Sequence, residues 1–255
     1  LPMEERLKRW PPLPLLENDR VVKQGLTPDD QRRLTPEYAR RAVDFIRRQK
    51  DQPFFLYLAH NMVHVPLYPS SEFQGRSGAG IFGDVMAEVD WSVGQVMAAL
   101  KETNVDDRTL VVFTSDNGPW LSYGSHAGSA EPLREGKGTS FEGGCRVPAI
   151  FRWPGRIPAG TTCDALASTI DVWPTFARLI GAEPPPGRLD GKDVSPLLFG
   201  VAGAQSPHEA FCYYYADNEL QAIRSERWKL HFPHSYRTLN GRQGRTDGLP
   251  IDYED

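Results

Sequence analysis

Cysteine is scarce in this chain, and the few copies follow no recognisable spacing. The three cysteines, Cys145, Cys163 and Cys212, lack the spacing of a zinc site and are too few for a disulfide framework. A single disulfide is compatible with this count, so the cysteines do not indicate a redox compartment. Asn-x-Ser/Thr glycosylation sites are also absent, which argues weakly against a glycosylated secretory protein of a higher eukaryote.

Long hydrophobic runs and a strong excess of one charge are missing as well. No stretch is long enough to span a bilayer, and the chain does not open with a charged and then apolar targeting segment. The net charge of -4 gives no indication of a nucleic-acid partner. We therefore expect neither nucleic acid nor a membrane among the partners. The 255 residues, with 40% hydrophobic and 24% charged residues, have the composition of an ordinary globular protein.

Hydrophobic periodicity predicts strands that alternate with helices up to about residue 180. The predicted strands cover residues 54–59, 109–115, 147–153, 210–215 and 221–232, and the predicted helices cover 35–50, 83–100 and 171–180. The first helix is expected to start at Thr35-Pro36, and Gly181 is expected to close the last one. The alternation is typical of a doubly wound α/β layer, whereas the later strands predict a small antiparallel sheet.

The same pattern divides the chain into three predicted parts. Residues 1–34 are rich in proline and polar side chains, and we expect an irregular segment there. Residues 35–183 carry the alternating helices and strands and should form the main α/β layer. Residues 184–255 are predicted to form a small antiparallel β subdomain that is incomplete.

The pair Asp116-Asn117 directly follows a buried strand in the run Leu110-Val111-Val112-Phe113-Thr114-Ser115. The carboxyl end of a central strand is where ligands bind in open α/β sheets. A carboxylate and a carboxamide offer the hard oxygen donors that Ca²⁺ and Mg²⁺ prefer. The alternative is an Asx turn, in which the two side chains cap their own backbone.

Three further segments carry residues suited to chemistry on an anion. These are His64-Val65-Pro66, Arg134-Glu135-Gly136-Lys137-Gly138-Thr139 and Phe141-Glu142-Gly143-Gly144-Cys145-Arg146-Val147-Pro148. Together with Asp116-Asn117-Gly118, and in this order, they make the chain resemble the sulfatases, specifically the arylsulfatase A-like branch of the alkaline phosphatase superfamily. The resemblance runs from about Phe54 to Leu198. It implies an α/β fold with a partial doubly wound, alkaline-phosphatase-like sheet, helices on both faces and a small C-terminal antiparallel sheet.

The resemblance also implies roles for individual residues. Asp116 and Asn117 match two ligands of a Ca²⁺ ion, with Mg²⁺ less favoured. Lys137 matches the lysine that contacts the sulfate, and His64 matches the histidine beside the leaving-group oxygen. His126 lies between the metal pair and Lys137 in the sequence and is a candidate to face the substrate. Without the resemblance, the residues favour plainer interpretations, in which Lys137 is an exposed loop lysine and His64 caps a strand end.

The family's nucleophile, a formylglycine made from a Cys/Ser-x-Pro-x-Arg motif, is not encoded here. Cys145-Arg146-Val147-Pro148 has its proline one position late and no following arginine. Asp29-Asp30 follows Thr27-Pro28 in a polar stretch, so we interpret it as a helix-start signal and not as a further metal pair. We therefore expect the C-terminal portion of an arylsulfatase-type hydrolase, inactive in isolation because the nucleophile segment is missing.

Two alternatives remain open at this level. One is a phosphonate or phosphate ester hydrolase of the same superfamily, and the other is a non-catalytic, truncated sulfatase-like protein. The expected substrate is a small-molecule or saccharide sulfate ester. An incomplete layer should expose an apolar face, so self-association is an expected interaction. By the resemblance alone, we expect a bacterial periplasmic or secreted protein.

Overall fold

A computed structural model of the chain describes residues 12–183 and 187–254. The chain divides into two compact units, Leu1–Thr103 and Asn104–Asp255. Residues 1–11 of the predicted irregular segment, and residues 184–186 and 255 of the predicted β subdomain, lie outside the described residues. The division into three parts at residues 34 and 183 stays a prediction.

The first unit contains a short β-hairpin and two long helices. Strands β1 (Leu15–Glu17) and β2 (Arg20–Lys23) pair antiparallel, and helices α1 (Pro28–Gln49) and α2 (Gly80–Glu102) follow. Helix α1 begins earlier than predicted, and the prediction of a start at Thr35 was wrong. Thr27 and Asp30 form a capping box, in which the Asp30 amide donates to Thr27 Oγ1 at 3.3 Å and the Thr27 amide donates to Asp30 Oδ2 at 2.9 Å. The interpretation of Asp29-Asp30 as a helix-start signal is confirmed.

The apolar faces of α1 and α2 form the core of this unit, with Ala39, Ala42 and Ile46 of α1 buried along with Val85, Val89 and Leu100 of α2. The predicted strand 54–59 is not observed as a strand in the structure. Its burial alternates: Leu56 and Leu58 are half-buried, and Tyr57 is 80% exposed. Residues 56–59 make no backbone hydrogen bond within the described ranges. A β-strand forms only when a neighbouring strand supplies hydrogen-bond partners. The alternating sequence of residues 54–59 therefore gives alternating side-chain burial without sheet pairing.

The second unit contains the remaining strands. Strands β3 (Val111–Thr114) and β4 (Ala149–Arg152) pair antiparallel, with Val112 opposite Phe151. Strands β5 (Phe211–Tyr215), β6 (Glu219–Arg224) and β7 (Lys229–His231) form an antiparallel sheet in that order. These strands confirm the predicted ones, with β6 beginning two residues earlier than predicted. A turn at residues 225–228 divides the predicted strand 221–232 into β6 and β7, as its Ser225-Glu226-Arg227 sequence predicts. The strand pairs of the described residues are antiparallel, so the parallel pairing of a doubly wound layer is not seen in them.

Three helices connect these strands: α3 (Glu142–Cys145), α4 (Val172–Ile180) and α5 (Ser195–Leu198). Helix α4 ends as predicted at Gly181, which adopts φ 69° and closes the helix in the left-handed conformation. The three cysteines are exposed free thiols, so the single disulfide that the count left open is not formed. Over the described part of the chain, helices fall short of the length and apolarity needed to cross a bilayer.

Candidate active site

Asp116 and Asn117 lie directly after β3, as predicted. The side-chain Nδ2 of Asn117 donates to the carbonyl of Gly118 at 3.0 Å, and Ser115 Oγ donates to the carbonyl of Asn117 at 3.1 Å. These contacts fix the turn through backbone oxygens. Neither the Asp116 carboxylate nor Asn117 Oδ1 accepts a hydrogen bond from the described residues. The two side chains therefore do not form the Asx turn through their oxygens, and both oxygen donors remain suited to a cation.

The loop that carries Lys137 is bound to the end of β3. The Lys137 amide donates to the carbonyl of Pro119 at 2.8 Å, and the Gly118 amide donates to the carbonyl of Gly144 at 3.0 Å. Gly118 is required for this approach, because a Cβ there would overlap the carbonyl oxygen of Gly143. The backbone thus brings the Lys137 loop to within one hydrogen bond of the segment that follows Asn117.

The Lys137 side chain is half-buried and lies against an aromatic ring. Its Nζ is 5.1 Å from the centroid of the Trp120 ring, within the range of a cation–π interaction. It has no carboxylate partner among the described residues, although acidic side chains outnumber basic ones in the chain. An ammonium that is partly withdrawn from water and not neutralised by a neighbour is suited to bind an anion. This environment favours the anion-binding interpretation over that of an ordinary exposed lysine.

His126 ends a 3₁₀ helix, Leu121–His126, that follows Trp120. Its ring faces the C-terminal segment: Nδ1 lies 2.9 Å from the position that a Cβ on Gly248 would occupy. The same segment is held by two bonds, from the Ser125 amide to the carbonyl of Arg245 and from the Ile251 amide to the carbonyl of Ser122. The role of His126 toward a substrate stays a prediction.

His64 belongs to the first unit, in an exposed turn after the extended segment. Its Nδ1 lies 2.7 Å from the carbonyl oxygen of Val65 and donates to it. The role of His64 at a leaving-group oxygen stays a prediction. His60, by contrast, is held by Ser92 Oγ at 3.0 Å from Nε2, and burial lowers the pKa of its imidazole.

The donor chemistry of Asp116 and Asn117 fits Ca²⁺, because both side chains end in hard oxygens that the described residues leave unbonded. Two residues are nevertheless far fewer than the six to eight oxygen ligands that the ion takes. Within residues 12–183 and 187–254, no group of three or more His, Cys, Asp or Glu side chains could hold a metal ion. Asp116 and Asn117 could therefore form only part of a calcium shell.

Sequence reasoning missed the contacts that the C-terminal sheet makes with the Lys137 loop. Glu142 of α3 accepts hydrogen bonds from Arg224 of β6 and Lys229 of β7. Burial opposes ionisation of Glu142, but these two cations outweigh it, and the net effect lowers its pKa. Lys229 Nζ also donates to the carbonyl of Ser140. No local pattern points to these contacts, because the partners lie more than 80 residues apart.

A buried contact between a histidine and a carboxylate was also missed. The side chain of His208 is only 6% exposed. Its Nε2 lies 2.7 Å from Oδ1 of Asp171, which is 1% exposed. Asp171 also accepts the Ser168 amide and the Lys192 amide, each at 2.8 Å. The pair connects the start of α4 with the segment before β5.

Comparison with known proteins decides the family. The sulfatase family model matches residues 10–182, and the model described as N-sulphoglucosamine sulphohydrolase, C-terminal, matches residues 136–240. The chain belongs to the sulfatase family. Its fold class, a mixed α/β fold of the alkaline-phosphatase-like kind, is confirmed by solved structures of sulfatases.

Individual relatives support the same assignment. Arylsulfatase A of Bos taurus is 43% identical over 226 residues, which cover 87% of this chain and 44% of that protein. N-acetylgalactosamine-6-sulfatase of Canis lupus familiaris is 42% identical over 203 residues, which cover 78% of this chain and 38% of that protein. The crystal structure of the sulfatase PsFucS1 from Pseudoalteromonas sp. superposes with a TM-score of 0.79 at 29% identity, covering 92% of this chain and 48% of that one. The chain spans less than half the length of these relatives.

Proposed function

We propose that this chain supplies part of the active site of an arylsulfatase-type hydrolase that cleaves sulfate monoesters. One observation carries the proposal: the hydrogen bond from the Lys137 amide to Pro119 ties an unneutralised ammonium to the strand end that carries Asp116 and Asn117. A sulfate ester presents negative oxygens that such a group can hold. The substrate would be a small-molecule or saccharide sulfate ester.

Each candidate residue has a proposed part in the reaction. Lys137 binds the non-bridging sulfate oxygens, and by its resemblance to the family histidine His64 has the role of donating a proton to the bridging oxygen as the S–O bond breaks. Asp116 and Asn117 would hold Ca²⁺, which supplies charge to the developing sulfate oxygens when it is bound. His126 contacts the organic part of the substrate.

The proposed chemistry needs groups that this sequence does not encode. We propose that the formylglycine nucleophile and the remaining metal ligands lie on polypeptide that the relatives possess beyond the matched part, since the chain spans 44% of bovine arylsulfatase A. The 255 residues alone should therefore not turn over substrate. We place the protein in the bacterial periplasm or outside the cell.

Anion binding by the chain tests the proposal directly. Calorimetric titration with inorganic sulfate should give weak binding that Lys137→Ala abolishes. Lys101→Ala is the matched control, because Lys101 is an exposed lysine at the end of α2 in the other unit. Equal binding by both variants would contradict the role of Lys137.

An assay with aryl esters tests the catalytic part of the proposal. The chain with Ca²⁺ should hydrolyse neither an aryl sulfate nor an aryl phosphate. Aryl sulfate hydrolysis that Lys137→Ala removes would show that the chain carries a complete site, against the proposed incompleteness. Hydrolysis of the aryl phosphate alone would favour a phosphate ester hydrolase over a sulfatase.

A further inference from the structure

We infer that Arg237 is a positioning residue that fixes the loop carrying Lys137 from the C-terminal side. The inference rests on the proposed function, in which the Lys137 ammonium binds sulfate. Arg237 Nε donates to the carbonyl of Gly138 at 3.3 Å, directly next to Lys137 in the chain. The C-terminal segment thereby determines where the ammonium lies.

The conformation of Gly138 and the position of the Arg237 guanidinium depend on each other. Gly138 adopts φ +84°, a left-handed conformation that other residues rarely adopt. A Cβ at this position would overlap the guanidinium of Arg237. The guanidinium thus occupies the space that a side chain at Gly138 would need, and the loop is also held by the bond from the Lys137 amide to the carbonyl of Pro119.

Three consecutive C-terminal residues contact the same loop. Besides the bond from Arg237, Arg134 Nη2 donates to the hydroxyl of Tyr236 at 2.6 Å, and Thr238 Oγ1 donates to Glu135 Oε1 at 2.9 Å. The three contacts reach Arg134, Glu135 and Gly138, on both sides of Lys137 in the sequence. The loop conformation is therefore determined by long-range contacts as well as by its own glycines.

Arg237 is used here for backbone positioning and not for an ion pair. It has no carboxylate partner among the described residues, and its Cζ lies 5.2 Å from the centroid of the Tyr253 ring. The ring limits its rotation, so the planar guanidinium keeps one orientation toward the Gly138 carbonyl. Its charge also stays unneutralised near Lys137, which adds to the attraction for an anion.

The experiment follows the Lys137 ammonium itself in the full chain. Lysines are labelled by reductive ¹³C-methylation, the Lys137 resonance is assigned with Lys137→Arg, and spectra are recorded with and without inorganic sulfate. Arg237→Gln removes the guanidinium, and Arg237→Lys keeps a donor that can reach the same carbonyl. Arg242→Gln is the control, because Arg242 bonds to the carbonyls of Leu239 and Asp252, outside the loop.

Arg237→Gln should shift and sharpen the Lys137 resonance before sulfate is added, because the ammonium becomes more mobile. It should also weaken sulfate binding roughly fivefold, the effect of one hydrogen bond. Arg237→Lys should partly restore the Lys137 resonance and the sulfate affinity, and Arg242→Gln should change neither of these two quantities. An unchanged Lys137 resonance in Arg237→Gln, with the variant folded by circular dichroism, overturns the inference. A resonance that moves in Arg237→Gln but does not respond to sulfate in the unchanged chain keeps the positioning role and contradicts the proposed function.

Discussion

Replacement of Asp171 by alanine should destabilise the second unit strongly. The carboxylate is 1% exposed and accepts three hydrogen bonds, from His208 Nε2 at 2.7 Å and from the amides of Ser168 and Lys192 at 2.8 Å. Removing this acceptor leaves three buried donors unsatisfied, and each unsatisfied donor costs about 1–3 kcal/mol. Water that enters the vacated space should recover part of this cost, so we expect a loss of about 3–5 kcal/mol.

Urea denaturation followed by circular dichroism measures this loss, with thermal unfolding as a second readout. A loss of this size lowers the unfolding midpoint by roughly 6–20 °C in a chain of this length. Asp171→Asn should lose less than Asp171→Ala, because its carbonyl oxygen still accepts one amide. Asp247→Ala is the control, since Asp247 pairs with Arg245 at the surface, and it should leave the midpoint unchanged.

A loss below about 1 kcal/mol for Asp171→Ala would refute the reasoning from burial, since that is the range of surface ion pairs. The result also bears on domain organisation. Because Asp171 precedes residue 183 and His208 follows it, a large loss in a single transition would show that the two predicted parts unfold together.

Three further perturbations have expected outcomes. Glu142→Gln should destabilise the chain at neutral pH. Since folding lowers the Glu142 pKa, the difference in unfolding free energy between the variant and the unchanged chain should shrink as the pH falls below about 4.5. Urea denaturation across pH measures this difference, and a constant difference would contradict the two cationic contacts. Gly118→Ala should lower the unfolding midpoint and disturb the Lys137 amide resonance, because the new Cβ overlaps the carbonyl of Gly143; an unchanged spectrum would argue against the close approach. The chain should self-associate through the exposed aromatic side chains of residues 54–59, and Tyr57→Lys should reduce the associated fraction in sedimentation velocity; a monomer at all concentrations would contradict this prediction.

Local signals were sufficient for the helices and most strands. Helix α2 follows from apolar residues at helical spacing, and the end of α4 follows from Gly181 in a left-handed conformation. The start of α1 shows where competing local signals mislead. Thr35-Pro36 and Thr27-Pro28 are both plausible starts, and the capping box with Asp30 decides for the earlier one.

Features that depend on distant partners were not predictable. The segment 54–59 has the composition of a strand, yet strand formation needs a pairing neighbour that no local pattern specifies. The candidate site shows the same limit. Asp116, Asn117 and Lys137 were found from motifs, whereas Arg237 reaches the loop from about 100 residues away and carries no motif.

A crystal structure of the chain with calcium chloride and an aryl sulfate tests the central claim most directly. The account predicts an ion bound by the side-chain oxygens of Asp116 and Asn117, and sulfate oxygens within hydrogen-bond distance of Lys137 Nζ. If the Asp116 carboxylate and the Lys137 ammonium instead face opposite sides of the unit, with the anion bound elsewhere, the account is contradicted.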